Sequence, residues 1–283
     1  MPKAKLTIYL LVFLFSFQAY GQEFTNDAGE REKLFISKVK MIDEFFERFN
    51  DNPNSSIREI YKKKNIPFNI PRKKLIASLF NYEGKTWSKS EIDSFIAKAL
   101  LTKMPTGENW YGDGWFAEVT CRFQYKNAEI NIPLILKVET DEKNRSRWMI
   151  TGIKPNQLEE PIDAVNSIVI RKIKKHFISP SSHGADFIEL TNIFSDKENL
   201  TDYFENDFFS DNNGVRFYQS VLKGKLVFLY AKPAKFYFLN VENYIFQVEY
   251  FNRELLNAGW LINKIQIASK KDKEDYKKQL LQK

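Results

Sequence analysis

The sequence predicts an α+β protein made of two similar halves, each with helices followed by a curved antiparallel sheet. Apolar residues recur at three- and four-residue steps in some segments, which indicates amphipathic helices, and alternate with polar residues in others, which indicates strands. The order of helices and then strands occurs twice along the 283 residues. Aromatic residues make up 15% of the chain and glycine and proline are few, so we expect a packed core rather than disorder.

The N-terminal segment has the layout of a secretory signal peptide. Lys3 and Lys5 precede an apolar run over residues 6–17, and Ala19-Tyr20-Gly21 follows with small residues suited to cleavage. The uncharged stretch is shorter than the roughly 20 apolar residues that a spanning helix needs. The sequence therefore predicts a signal peptide over residues 1–21, cleavage near Gly21/Gln22, and export to a periplasm or to the medium without stable membrane insertion.

The first half, residues 30–154, begins with helices and ends with a meander. Residues 32–50 form an apolar stripe of helical period. Ser88 and Glu91 make a capping box at the start of a second helix over residues 88–102. After a glycine-rich loop the period falls to two, which predicts three strands at residues 115–125, 128–140 and 145–153.

The second half, residues 162–269, repeats this order after a polar linker at 155–161 that is bracketed by prolines. Helical pieces are predicted before residue 223, and a charged tail, with a frayed helix, over residues 270–283. A short repeat supports duplication: Trp148-Met149-Ile150-x-x-Ile153 corresponds to Trp260-Leu261-Ile262-x-x-Ile265. The strands predicted in this half are residues 225–230, 235–239, 244–251 and 260–268.

The order of elements resembles the NTF2-like fold, a cone in which a bent antiparallel sheet wraps around a long first helix. The resemblance is carried by the first helix, with its Phe46-x-x-Phe49-Asn50 ending, and by the strands that contain Trp148 and Trp260. It implies two tandem cones. The family includes small-molecule isomerases and dehydratases, periplasmic secretion-system components and pocketed modules without chemistry. No family motif matches here, so the resemblance assigns no catalytic residue.

Composition limits the kinds of partner and cofactor that we expect for this chain. The lone Cys121 rules out an internal disulfide, and neither GxxxxGK[ST] nor GxGxxG occurs, so we expect no nucleotide cofactor. The net charge is +7, with short basic clusters at 62–64, 72–74 and 171–175 and in the tail from Lys270. These indicate either solvated faces or contact with an anionic surface such as a phosphorylated glycolipid or an acidic polysaccharide. No recognised motif accompanies the charge, so nucleic acid is not an expected partner.

Metal binding is not predicted. His176 and His183 are the only histidines, and their spacing across a proline-containing turn does not match a zinc site. The acidic run from Asp202 to Asp211 departs from the calcium-loop spacing. We therefore expect neither a metal nor a catalytic triad.

The loop before the first predicted strand is the best candidate for ligand contact. It brings aromatic rings beside carboxylates, which suits stacking on a sugar ring, although the same tryptophans would also serve to plug the end of a sheet. The candidate ligand-binding residues are Glu108, Trp110, Tyr111, Asp113 and Trp115.

Three functional hypotheses follow. The first is an exported, non-catalytic binding or assembly module that recognises an envelope component, a glycan or a protein. The second is a cofactor-independent enzyme of isomerase or dehydratase type, with an acid/base pair in a cone pocket. The third is a periplasmic secretion-system component. The sequence favours binding over catalysis.

Overall fold

Strands from both halves of the chain join one sheet in the computed structural model of this protein. The model describes residues 38–83, 87–104, 114–140, 145–154, 158–163, 174–254 and 257–281, and residues from Lys38 onward form one compact unit. The predicted signal peptide and most of the candidate loop lie outside the described residues.

The first half contributes four helices and four strands in its described part. The helices are α1 (Ile42–Asn50), α2 (Ser56–Lys63), α3 (Arg72–Ala77) and α4 (Lys89–Ala99). The strands are β1 (Lys38–Val39), β2 (Trp115–Tyr125), β3 (Ala128–Thr140) and β4 (Ser146–Ile153).

The second half starts with short helical pieces and ends with four strands and a helix. Three 3-10 helices, Pro180–Ala185, Leu200–Tyr203 and Asn206–Ser210, accompany α5 (Leu190–Ser195) and α6 (Asn212–Leu222). The strands β5 (Leu226–Ala231), β6 (Lys235–Phe238), β7 (Tyr244–Phe251) and β8 (Ala258–Ile267) follow, and then α7 (Lys270–Leu281).

The sheet has the strand order β1-β8-β7-β6-β2-β3-β4, and β5 pairs with the far end of β2. All of these pairs are antiparallel except β1 with β8. The long strand β2 is the junction: one of its edges pairs with β3, while the other pairs first with β6 and then with β5. The sheet therefore runs without interruption across the predicted boundary between the halves.

The main core covers one face of this sheet and mixes elements of both halves. From α1, Phe45 stacks on Phe238 of β6 at 6.4 Å between ring centroids, and Phe49 stacks on Phe246 of β7 at 6.1 Å. In return, α5 and α6 of the second half pack against Phe123 of β2. Each half thus covers strands that the other half supplies.

A smaller apolar cluster lies on the opposite face of the sheet. Side chains of β2, β3 and β6 pack there against Tyr276, Leu280 and Leu281 of α7. The predicted charged tail is therefore largely an ordered helix, held by its few apolar side chains and by the Lys273 ammonium, which donates to the carbonyls of Leu239 and Val241.

The general α+β class is confirmed, and so are the bounds of β2, β3 and β7. The first helix, predicted over residues 32–50, begins only at Ile42, because Lys38–Val39 pair with β8 as the strand β1. The capping box of Ser88 and Glu91 forms as predicted, with the Glu91 amide 3.1 Å from Ser88 Oγ. The sequence predicted one sheet per half, whereas the strands form a single sheet, because β2 presents a second edge that β5 and β6 satisfy. The NTF2-like resemblance and the boundary at 155–161 remain predictions.

Parallel pairing of β1 with β8 depends on Gly259. Its φ is +91°, a conformation that side chains with a Cβ rarely adopt, and a Cβ built there would lie 2.0 Å from the Val39 carbonyl oxygen. Gly224 also has positive φ, at +70°, but a Cβ built there comes no nearer than 3.3 Å, to the flexible end of Lys197.

We predict that Gly259→Ala destabilises the protein by more than Gly224→Ala. The control should cost about 1–2 kcal/mol for the left-handed backbone, and Gly259→Ala should cost more because β1 must move as well. Urea unfolding of both variants measures this difference. Equal losses would show that the close approach of β1 contributes nothing.

Candidate functional site

Trp115, the one described member of the candidate set, is a core residue. Its side chain is 3% exposed and stacks on Phe238 at 5.8 Å between ring centroids, with the Trp148 ring 4.6 Å away. Phe46 of α1 packs edge-on against the same indole. Trp115 is therefore part of the core and does not face solvent. Glu108, Trp110, Tyr111 and Asp113 lie outside the described residues.

His183 completes this tryptophan cluster, which comprises Trp115, Trp148, Phe46 and His183. The histidine lies in a 3-10 helix, and its side chain is buried against both indoles. Its Nδ1 donates to the Pro180 carbonyl at 2.7 Å, and its Nε2 lies 3.1 Å from Asp43 Oδ1. Because Asp43 is half exposed on α1, this contact links the buried cluster to the surface.

A second polar cluster, here called the sheet-face triad, consists of Glu118, Lys154 and Tyr237. Glu118 is 6% exposed on β2. Its Oε2 accepts a hydrogen bond of 2.7 Å from the Tyr237 hydroxyl and also pairs with the Lys154 ammonium. A buried carboxylate needs such partners, since an isolated charge away from water is strongly unfavourable. The triad lies on the sheet face that α7 covers, opposite the main core.

Burial and charge act together on the tyrosines of this face. Burial, and then the neighbouring Glu118 carboxylate, raise the pKa of the Tyr237 phenol well above its usual value. Burial, again with Glu118 as the second cause, raises the pKa of Tyr276 on α7 to about 12. Both phenols therefore stay neutral at physiological pH, and Tyr237 serves as a hydrogen-bond donor and not as a base.

Two open clefts are among the concave features of the described surface. One, of about 280 Å³, lies between the end of β4 and the start of α6. The other, of about 350 Å³, lies between the start of α4 and strands β7 and β8. Carboxylates and hydroxyls line their polar parts, and the sheet-face triad lines neither one. The first includes Thr151, Asp207, Ser210 and Asp211, and the second includes Ser90, Glu91, Ser94 and Tyr244.

The remaining reactive side chains have structural surroundings. His176 Nδ1 lies 3.1 Å from Asp202 Oδ2, which also accepts from the backbone amides of Lys175 and His176. Cys121 is buried on β2, and burial raises the pKa of its thiol, so it is not a reactive thiolate. Across the described residues, no group of three or more His, Cys, Asp or Glu side chains is arranged to hold a metal ion.

Sequence reasoning missed both buried polar contacts. Glu118 and Tyr237 lie in different halves and meet only because β2 pairs with β6. Asp43 and His183 meet because α1 packs near the second half. The sequence carried no distinctive signal for the triad, because Glu118 is one of four polar residues at alternate positions of β2, with Thr120, Arg122 and Gln124.

Comparison with protein-family models, with curated proteins and with solved structures finds no match to this chain. Within the part of the chain that the structure describes, no helix has the length and apolar character needed to cross a membrane.

We predict that Tyr237→Phe makes stability less sensitive to alkaline pH. The folded phenol holds its proton more tightly than the unfolded phenol, whose pKa is about 10. The resulting stability is fully present below pH 10 and is lost as the pH rises toward the higher folded value. The variant should thus lose less stability above pH 10, while losing about 1 kcal/mol at pH 7 with its hydrogen bond.

Urea unfolding between pH 7 and pH 11 measures this effect, with Tyr250→Phe as the control because Tyr250 is exposed on β7. If the two variants keep the same dependence on pH as the unmodified chain, the buried phenol is not the group responsible.

Proposed function

We propose that this protein is an exported, non-catalytic binding or assembly module that recognises a component of the cell envelope. The observation that carries the proposal is the filled interior. The helix-covered face of the sheet, where a cone pocket would lie, is occupied by fully buried aromatic side chains. These include Phe45, Phe46, Phe49, Phe95, Phe123, Phe236 and Trp148.

Such an interior favours recognition at the surface over chemistry in a pocket. Among the described residues, these aromatic side chains pack edge-to-face and stacked on one another, and close packing of this kind holds the backbone rigidly. Rigid frameworks suit the presentation of loops, which carry binding residues in many proteins. Trp115 anchors the chain directly after the predicted loop that contains Trp110 and Tyr111, and this position supports that predicted loop as the ligand-contacting segment.

The enzyme alternative requires an acid/base pair in a cavity. The buried pair is Glu118 with Tyr237, but both groups lie under α7 and hydrogen-bond each other. In the second cleft, the Glu91 carboxylate accepts from the Ser88 amide as part of the capping box. With its pKa raised by burial, the tyrosine is a poor base at neutral pH. The binding module therefore fits the described residues better.

We predict that Trp110→Ala and Tyr111→Ala weaken capture of the chain by the envelope fraction of its source cells without lowering the melting temperature. Loss of aromatic stacking should reduce binding at least tenfold. Trp115→Ala is the contrasting variant, because loss of a buried tryptophan should cost about 3–5 kcal/mol of stability.

Co-sedimentation with the envelope fraction and thermal unfolding are measured on the same preparations. Strong destabilisation by Trp110→Ala or Tyr111→Ala would assign those side chains to the core and remove the proposed binding segment. Unchanged capture by two stable variants would place recognition elsewhere.

We also predict that the chain recovered from the source cell begins at or near Gln22. Intact-mass measurement of the purified protein tests this directly. A mass that includes residues 1–21 would indicate an uncleaved anchor and would favour the secretion-system alternative.

A further inference from the structure

Nearly all of the net charge of this chain is concentrated in one short region. Residues 58–74 contain seven basic residues and one acidic residue, a net charge of +6, while the whole chain carries +7. The other 266 residues are thus almost balanced. A local excess of this size creates a strong positive potential at one surface, which a diffuse excess would not.

The two lysine clusters of this region lie on two helices, α2 and α3, that both pack on α1. Lys62, Lys63 and Lys64 end α2, and Lys73 and Lys74 begin α3. The connection doubles back, because Phe68 packs edge-on against Tyr61 of α2 with 5.1 Å between ring centroids. The Arg58 guanidinium lies 4.2 Å from the centre of the same Phe68 ring. We call the surface formed by the five lysines the basic surface.

The basic surface is rigidly attached to the rest of the protein. Arg72 donates to the carbonyl of Phe49 at the end of α1 and to those of Ala99 and Leu100 at the end of α4. Its charge thus fixes three helices together, whereas the neighbouring lysines face solvent. Lys73 forms an ion pair of 3.0 Å with Asp93. Within the described residues, the ammonium groups of Lys62, Lys63 and Lys74 make no hydrogen bond or ion pair.

Exposed apolar side chains accompany these lysines. Ile66, between the two clusters, is 44% exposed, and Leu101, next to the carbonyl that Arg72 binds, is 78% exposed. Neither side chain gains from contact with a soluble polyanion. Both would gain by entering the apolar boundary beneath lipid headgroups while the lysines contact the headgroup charges.

We propose that the basic surface docks on the anionic headgroups of a lipid bilayer. Lysine side chains fit this partner better than arginine would. Their ammonium groups are compact charges on flexible side chains, which can follow a diffuse array of headgroups without the bidentate geometry of a guanidinium. This proposal extends the proposed function. It rests on that function in one respect, because export would place the chain beside the bilayers of the envelope.

The test is co-sedimentation of the full chain with vesicles of phosphatidylcholine, with and without 30% phosphatidylglycerol. Binding should require the anionic lipid and weaken as salt is raised. The triple variant Lys62→Gln, Lys63→Gln, Lys74→Gln should bind about 100-fold more weakly, since each lysine near such a surface contributes roughly fivefold. Leu101→Ser should weaken binding a few-fold and leave its salt dependence unchanged.

The matched control makes the same change of charge on α7, where Lys270, Lys271 and Lys277 are exposed. Equal weakening by the control triple would show that binding follows net charge and would overturn the assignment. So would tight binding to soluble heparin without binding to vesicles, which would favour an acidic polysaccharide.

The two proposals fail separately. Loss of vesicle binding only in the lysine variants, with envelope capture still dependent on Trp110 and Tyr111, supports both. No vesicle binding by the unmodified chain, with envelope capture intact, removes the lipid surface alone. Vesicle binding without any effect of Trp110→Ala or Tyr111→Ala on envelope capture removes the proposed loop and leaves the lipid surface standing.

Discussion

The second edge of β2 is the constraint on which the rest of this structure depends. Residues 115–118 pair with β6, and residues 121–125 pair with β5, while the other edge is occupied by β3 along its whole length. Without these pairs the sheet would divide into two small sheets with exposed edges. With them, one continuous surface supports helices from both halves, and buried groups far apart in sequence come into contact.

Packing on this surface follows the sheet and not the order of the chain. The phenylalanines of α1 lie over β6 and β7, and Phe194 and Phe217 of the second half lie over β2. A fully buried phenylalanine typically contributes 3–5 kcal/mol, comparable with half the stability of an ordinary domain. Because these contacts cross between halves, neither half retains its core when the other is removed.

Local features could be predicted from the sequence because they depend on neighbouring residues. The period of two gave β2, β3 and β7 nearly to the residue, and Ser88 with Glu91 gave the start of α4. Strand pairing could not be predicted, because no pattern within residues 115–125 indicates that Phe238 will pair with Trp115. The same limit hid the contact between Glu118 and Tyr237. For Trp115 the sequence allowed two interpretations, ligand contact or plug, and only tertiary packing distinguishes between them.

The basic region, residues 58–74, shows a different limit of prediction from sequence. Its clusters look short when each is read alone, and their combined charge becomes clear only when Phe68 is found to fold the connection back on α2. Solvated lysines and lysines of a docking surface show the same pattern in the amino-acid sequence. Our proposal of a docking surface rests on the exposure of Ile66 and Leu101, and side-chain exposure is a property of the fold.

The pairing of β2 with β5 and β6 also sets the order in which this chain can mature. The strands that pair with this edge of β2 lie more than 100 residues downstream. The sheet of the first half therefore cannot be completed while the second half is still being synthesised. Contacts of such long sequence separation form slowly. For a chain that the N-terminal segment is predicted to send across a membrane, this delay would leave the polypeptide unfolded for longer before transport. The penalty is a period in which the phenylalanines of α1 are exposed and require protection from aggregation.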